Sequence, residues 1–92
     1  MIQSFADRDS EQLFYEEKNR RFAVITRVAL RKLIQIHRAG ALADLKVPLG
    51  NRLEALKGNH AGLHSIRIND QWRIIFCWTE KGPAKVAIVD YH

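Results

Sequence analysis

A chain of 92 residues has room for one modest hydrophobic core, so residues 1–92 are expected to form a single domain, and 47% apolar with 27% charged content excludes wholesale disorder. No apolar run approaches the ~18 residues of a membrane span, residues 1–10 carry no signal-peptide pattern, and the single cysteine, Cys77, has no disulfide partner, so a cytoplasmic protein without membrane contact is expected. The net charge of +5, rich in arginine (Arg20, Arg21, Arg27, Arg31, Arg38, Arg52, Arg67, Arg73), points to a polyanionic partner, either nucleic acid or an acidic protein.

In chain order, Ile2 to Phe5 reads as a short strand. Asp9, with Gln12 three residues on, reads as the cap of a short helix over Ser10 to Glu17. A longer helix follows over Arg20 to Ala39, with Phe22, Ile25, Ala29, Leu33 and Ile36 on one stripe, Arg27, Arg31, Gln35 and Arg38 on another, and Gly40 as its stop. The arginine stripe fits either a solvated face or a partner surface. Ala41 to Asn51, with Pro48 and Gly50, is a turn-rich connection with room for one helical turn. Strands are expected at Arg52 to Leu56, His64 to Ile68, Trp72 to Thr79 and Ala84 to Tyr91. The pattern thus divides the chain into a helical half and a β half, an α+β composition.

The alternation of apolar residues selects the strand register. A three-residue loop at 69–71 sets Ile68 against Trp72 and Arg67 against Arg73, keeping the apolar side chains together. A four-residue loop at 80–83 then pairs Thr79 with Ala84 and hence Arg73 with Asp90, with His92 on the same side and Tyr91 on the other. Two facing arginines repel unless an anion is near. The cluster fits either an Arg73–Asp90 ion pair or a phosphate cradle, in which His92 supplies a group that titrates near neutral pH. Lys57, beside Gly58, is either a solvated turn lysine or a further phosphate contact. His60 and His64 have i, i+4 spacing, but Gly62 lies between them and no Glu follows His60, so no metal site is expected.

The run Gly50-Asn51-Arg52-Leu53-Glu54-Ala55-Leu56-Lys57-Gly58, the run from Ser65 to Ile74 that includes Gln71-Trp72-Arg73, and the terminal Asp90-Tyr91-His92 closely resemble the HigB-type toxins of the RelE superfamily. That resemblance implies an α+β fold of two N-terminal helices packed on a mostly antiparallel, four- to five-stranded twisted sheet, ribosome-dependent cleavage of messenger RNA in the A site, and neutralisation by a HigA-type helix-turn-helix antitoxin; no cofactor is expected. It carries over His92, Arg73, Lys57 and Tyr91 as catalytic residues, with Asp90 supporting. Asn69 stands where some relatives carry a basic residue, and Arg67, two residues earlier on the same alternation, is a further RNA contact.

The expected chemistry is metal-independent. The ribose 2′-hydroxyl attacks the adjacent phosphate, His92 serves as acid or base, and Arg73, Lys57 and Arg67 stabilise the phosphate. A rival reading is a non-catalytic RNA- or ribosome-binding module using the same arginines. A third is a structural partner whose basic helix docks an acidic protein.

Overall fold

The computed structural model describes residues 1–91. Helix α1, Arg8–Glu16, begins where the extended Asp7 accepts a hydrogen bond from the Ser10 backbone N–H at 2.7 Å. The cap is thus Asp7 and not the expected Asp9. Asp9 instead accepts from Asn19 Nδ2 at 3.1 Å from within the first turn, where its charge complements the positive end of the helix. Glu17, in the left-handed region at φ 60°, closes α1 with its N–H on the Leu13 carbonyl.

The long helix expected from Arg20 starts later. Asn19 is buried, and its Oδ1 accepts from the Arg21 N–H at 2.9 Å, capping a 3₁₀ turn at Arg20–Phe22. Helix α2 then spans Thr26–Arg38. The interruption leaves the apolar stripe intact: Phe22, Ile25, Ala29, Leu33 and Ile36 are all buried. Arg27, Arg31 and Arg38 are exposed, as a solvated or partner-facing stripe requires.

Two 3₁₀ turns, Leu42–Lys46 and Leu49–Asn51, fold back against α2. Their anchor is Asn51, which is fully buried. Its Nδ2 donates to Gln35 Oε1 and to the Leu45 carbonyl, both at 3.1 Å, and its Oδ1 accepts from the buried Lys32 ammonium. An amide with one acceptor and two donor hydrogens suits such a junction, since each polar atom left unpaired here would carry its desolvation penalty.

The antiparallel sheet runs in sequence order, β1 Glu54–Ala55, β2 His64–Arg67, β3 Trp72–Thr79 and β4 Gly82–Asp90. β1 is shorter than expected because Arg52 takes the left-handed conformation, φ 47°, and breaks the extended run. The expected N-terminal strand is one parallel bridge, Phe5 to Val86, flanked by backbone bonds such as Gln3 N–H to the Pro83 carbonyl at 2.7 Å. Ile66, Ile74, Phe76, Val86 and Ile88 pack with Leu13, Phe22, Leu33 and Ile36 to form the core.

The β2–β3 register is the expected one, Arg67 opposite Arg73. The β3–β4 register is not. Thr79 pairs with Gly82, so the turn is the two residues Glu80 and Lys81. Gly82 makes that tight turn accessible, at φ 127° with the Met1 carbonyl oxygen 2.6 Å from where a Cβ would stand. Lys85, at φ 53°, then adds a bulge between the Cys77–Ala84 and Ile75–Ala87 pairs. Downstream of it Arg73 faces Val89, and Asp90 faces Trp72. The expected Arg73–Asp90 opposition is therefore displaced by one residue, which carries Asp90 off the Arg73 side of the sheet and brings Tyr91 onto it.

Candidate functional site

Arg73 projects from the middle of the sheet on the side away from the core, yet it is only 8% exposed. Its Nε donates to the buried Ser65 Oγ at 2.9 Å, and its Nη2 donates to the Arg52 carbonyl at 2.7 Å and lies 3.3 Å from Glu54 Oε1. The left-handed turn at Arg52 and the pairing of Glu54 with Ser65 bring those acceptors to one point. The guanidinium is thereby fixed in plane, and a planar fork held at several atoms loses little freedom when it takes a further anion.

Tyr91 lies over this guanidinium, with the Arg73 Cζ 5.3 Å from the ring centroid. The Tyr91 N–H donates to the Gln71 carbonyl at 2.6 Å, which extends the β3–β4 pairing to the last described residue. Beside the ring opens a cleft of about 340 Å³ lined by Glu54, Ala55, Leu56, Lys57, His60 and Tyr91. Lys57 is exposed at the start of a 3₁₀ turn, Gly58–His60, in which Gly58 adopts φ 65°. Of the four candidate catalytic residues, Tyr91 packs on Arg73 and shares the cleft lining with Lys57. The fourth, His92, lies outside the described residues.

The supporting residues divide differently. Asp90 accepts from Gln71 Nε2 at 3.1 Å and does not face Arg73. Arg67 forms its ion pair with Asp70 in the adjoining turn. The two facing arginines are therefore each matched by a carboxylate, Asp70 for Arg67 and Glu54 for Arg73, which removes the repulsion their opposition implies. Asn69 closes the β2–β3 turn, its Oδ1 accepting from the Gln71 and Trp72 N–H groups at 2.9 and 2.8 Å.

Glu54, His60 and Ser65 were not among the sequence candidates, although each stands at or under the cleft. The signal for Ser65 was available, because it shares the alternation of Arg67 and Arg73, whereas Glu54 enters only through the pairing of β1 with β2. Lys32 was also missed. Burial, reinforced by the neighbouring Arg31 charge, lowers its pKa from the ordinary 10.5. His64 stacks on Phe76 at 6.3 Å, and its Nδ1 is buried without a hydrogen-bond partner among the described residues. Among those residues no three His, Cys, Asp or Glu side chains gather in a metal-sized group, and no helix is long and apolar enough to cross a membrane.

The fold is shared with bacterial proteins of known structure. YoeB in its complex with YefM from Staphylococcus aureus superposes with a TM-score of 0.62 at 22% identity, covering 100% of this chain and 98% of that one. YafQ from E. coli gives 0.62 at 14% identity, covering 98% and 91%. These likenesses show the fold alone, helices on a four-stranded antiparallel sheet. At the level of sequence, residues 3–92 match the family described as the RelE-like toxin of type II toxin-antitoxin system HigB. Toxin HigB-1 of Vibrio cholerae is 39% identical over 94 residues, covering 100% of this chain and 98% of that protein. The chain belongs to the HigB-like toxins.

Proposed function

We propose that this protein is a ribosome-dependent endoribonuclease that cleaves messenger RNA in the ribosomal A site and is neutralised by a HigA-type antitoxin. The observation that carries the reading is the buried Arg73 guanidinium held beneath Tyr91, whose ring lines a cleft that also presents Lys57. A backbone phosphate seated there meets one pre-oriented fork and one mobile ammonium, the two kinds of cation that phosphoryl chemistry uses to spread charge.

The step needs no resident cofactor in this reading. The 2′-hydroxyl gives its proton to a base and attacks phosphorus, the P–O5′ bond breaks, the 5′-oxygen takes a proton from an acid, and a 2′,3′-cyclic phosphate remains. His92 is one proton-transfer group. Glu54 is a second, since it lines the cleft and its own side chain is half-exposed there. Arg67 and Lys57 extend the positive surface toward the RNA backbone, while Asn69 and Asp90 hold the turn and strand end that frame it. The net charge of +5 favours association with ribosomal RNA.

The test is to map RNA ends on purified programmed ribosomes. New ends bearing cyclic phosphate, lost in the His92→Gln variant, are the expected result. A second reading, a non-catalytic ribosome-binding module, is favoured by one observation: Arg73 is already bonded to Ser65, Arg52 and Glu54, as a purely structural arginine would be. It predicts ribosome association with no new ends.

A further inference from the structure

A groove of about 640 Å³ lies between α2 and the turn Leu42–Lys46, and it shares no residue with the Lys57 cleft. Its wall is mostly apolar, built from Leu30, Ile34 and Val47, with Ile34 42% and Val47 72% exposed. Arg27, Arg31 and Arg38 line it as well, against a single carboxylate, Asp44, which is held by the Gly40 and Ala41 N–H groups. Exposed apolar side chains gathered in a groove are unlike singly scattered ones, and they mark interaction sites.

We propose that this groove is the docking site for an amphipathic helix of the antitoxin, carrying an apolar stripe flanked by carboxylates. The proposal rests on the toxin–antitoxin reading above and adds the surface and the chemistry of the partner segment. Charge selects an acidic occupant, because three guanidinium groups against one carboxylate line the groove of a chain whose net charge is already +5. The apolar floor selects protein over RNA, since a phosphate backbone has nothing with which to cover Leu30, Ile34 and Val47. Length selects a helix of about three turns: Arg27 to Arg38 covers about 16 Å of axis at ~1.5 Å per residue. Leu30 and Ile34, one turn apart on α2, present the spacing that helix-in-groove recognition reads.

The experiment uses the full chain and the antitoxin that suppresses its growth arrest on co-expression, purified and titrated by calorimetry. Two variants are compared, Ile34→Glu with Val47→Glu, and Arg27→Glu with Arg31→Glu and Arg38→Glu. The expected result is affinity weaker by ~30-fold or more in each, as for loss of interface hot spots, with wild-type melting temperature. If the apolar pair fails to fold, the arginine triple, on solvent-exposed positions, decides alone. Affinity within twofold of wild type overturns the proposal. So does a triple variant that binds antitoxin normally but no longer binds ribosomes, which would give the face to RNA, or a wild-type dimer that both variants dissolve, which would give it to a second copy. Cleavage by the wild-type chain is assayed separately, so failure of the nuclease reading leaves the titration interpretable.

Discussion

The Arg73 guanidinium and the Tyr91 ring stand 5.3 Å apart, Cζ to centroid, although one belongs to the second strand of a hairpin and the other to the carboxy-terminal stretch beyond it. The contact puts the last described residue above the most buried cation of the non-core side of the sheet, and it makes the role of each testable.

Replacing Tyr91 separates ring from hydroxyl. Tyr91→Phe retains the stack and should melt as wild type, whereas Tyr91→Ala should lose roughly 0.5–1 kcal/mol, the scale of a partly exposed cation–π contact. Single-turnover cleavage on programmed ribosomes reads the functional part. Wild-type rates in Tyr91→Ala would remove this residue from the site.

Arg73→Lys keeps the charge and discards the fork. Ser65 Oγ, the Arg52 carbonyl and Glu54 cannot all be reached by one ammonium in the same geometry, so a stability loss of about 1–3 kcal/mol is expected in urea melts. Cleavage should fall as well. A lysine variant as stable as wild type would mean that these contacts contribute little to the fold.

His92→Gln should lower cleavage by about 10²- to 10⁴-fold, the range for one proton-transfer group, with no change in melting temperature. Glu54→Gln gives the matching measurement for the second candidate group. Whichever variant flattens one limb of the pH–rate profile identifies the base or the acid.

Asn51→Ala should destabilise by about 1–3 kcal/mol because it removes the acceptor for the buried Lys32 ammonium along with two donors. Lys32 also gives stability a pH dependence with a defined sign. Its folded pKa lies below the unfolded 10.5, so between those values the unfolded chain binds more protons, and stability rises with pH. Chemical melts taken toward pH 10.5 should show that rise in the wild type and a smaller one in Lys32→Met.

Lys85→Gly should be neutral or stabilising, and Lys85→Val destabilising, since φ 53° suits glycine and crowds a β-branched side chain. Equal melting temperatures for the two would show that the bulge relaxes to another conformation.

Periodicity made the helices and the core side of the sheet legible. Phe22, Ile25, Ala29, Leu33 and Ile36 repeat with the α-helix, and Ile66, Ile74 and Phe76 alternate with the strand, so burial follows from spacing. The β2–β3 register was legible for the same reason. The β3–β4 register was not, because two backbone conformations set it: φ 127° at Gly82 and the left-handed Lys85, a residue type that gives no hint of a bulge. Within the site, Arg73 and Lys57 were found by residue type and resemblance. Ser65 shares the alternation of Arg67 and Arg73, whereas Glu54 depends on the pairing of β1, a two-residue strand too short to carry a pattern. Asn51 and Lys32 depend on a tertiary meeting of α2 with a loop, which no local signal announces.

The bulge also governs which changes of length the chain can absorb. Lys85 is the surplus residue between two blocks of pairing, so excising it closes the ladder without altering a single partner farther along. Removing any one residue between Ala87 and Asp90 instead swaps odd for even up to the chain end, and Tyr91 arrives on the wrong side of the ribbon. Length changes among related toxins should therefore be tolerated at this kink and excluded after it.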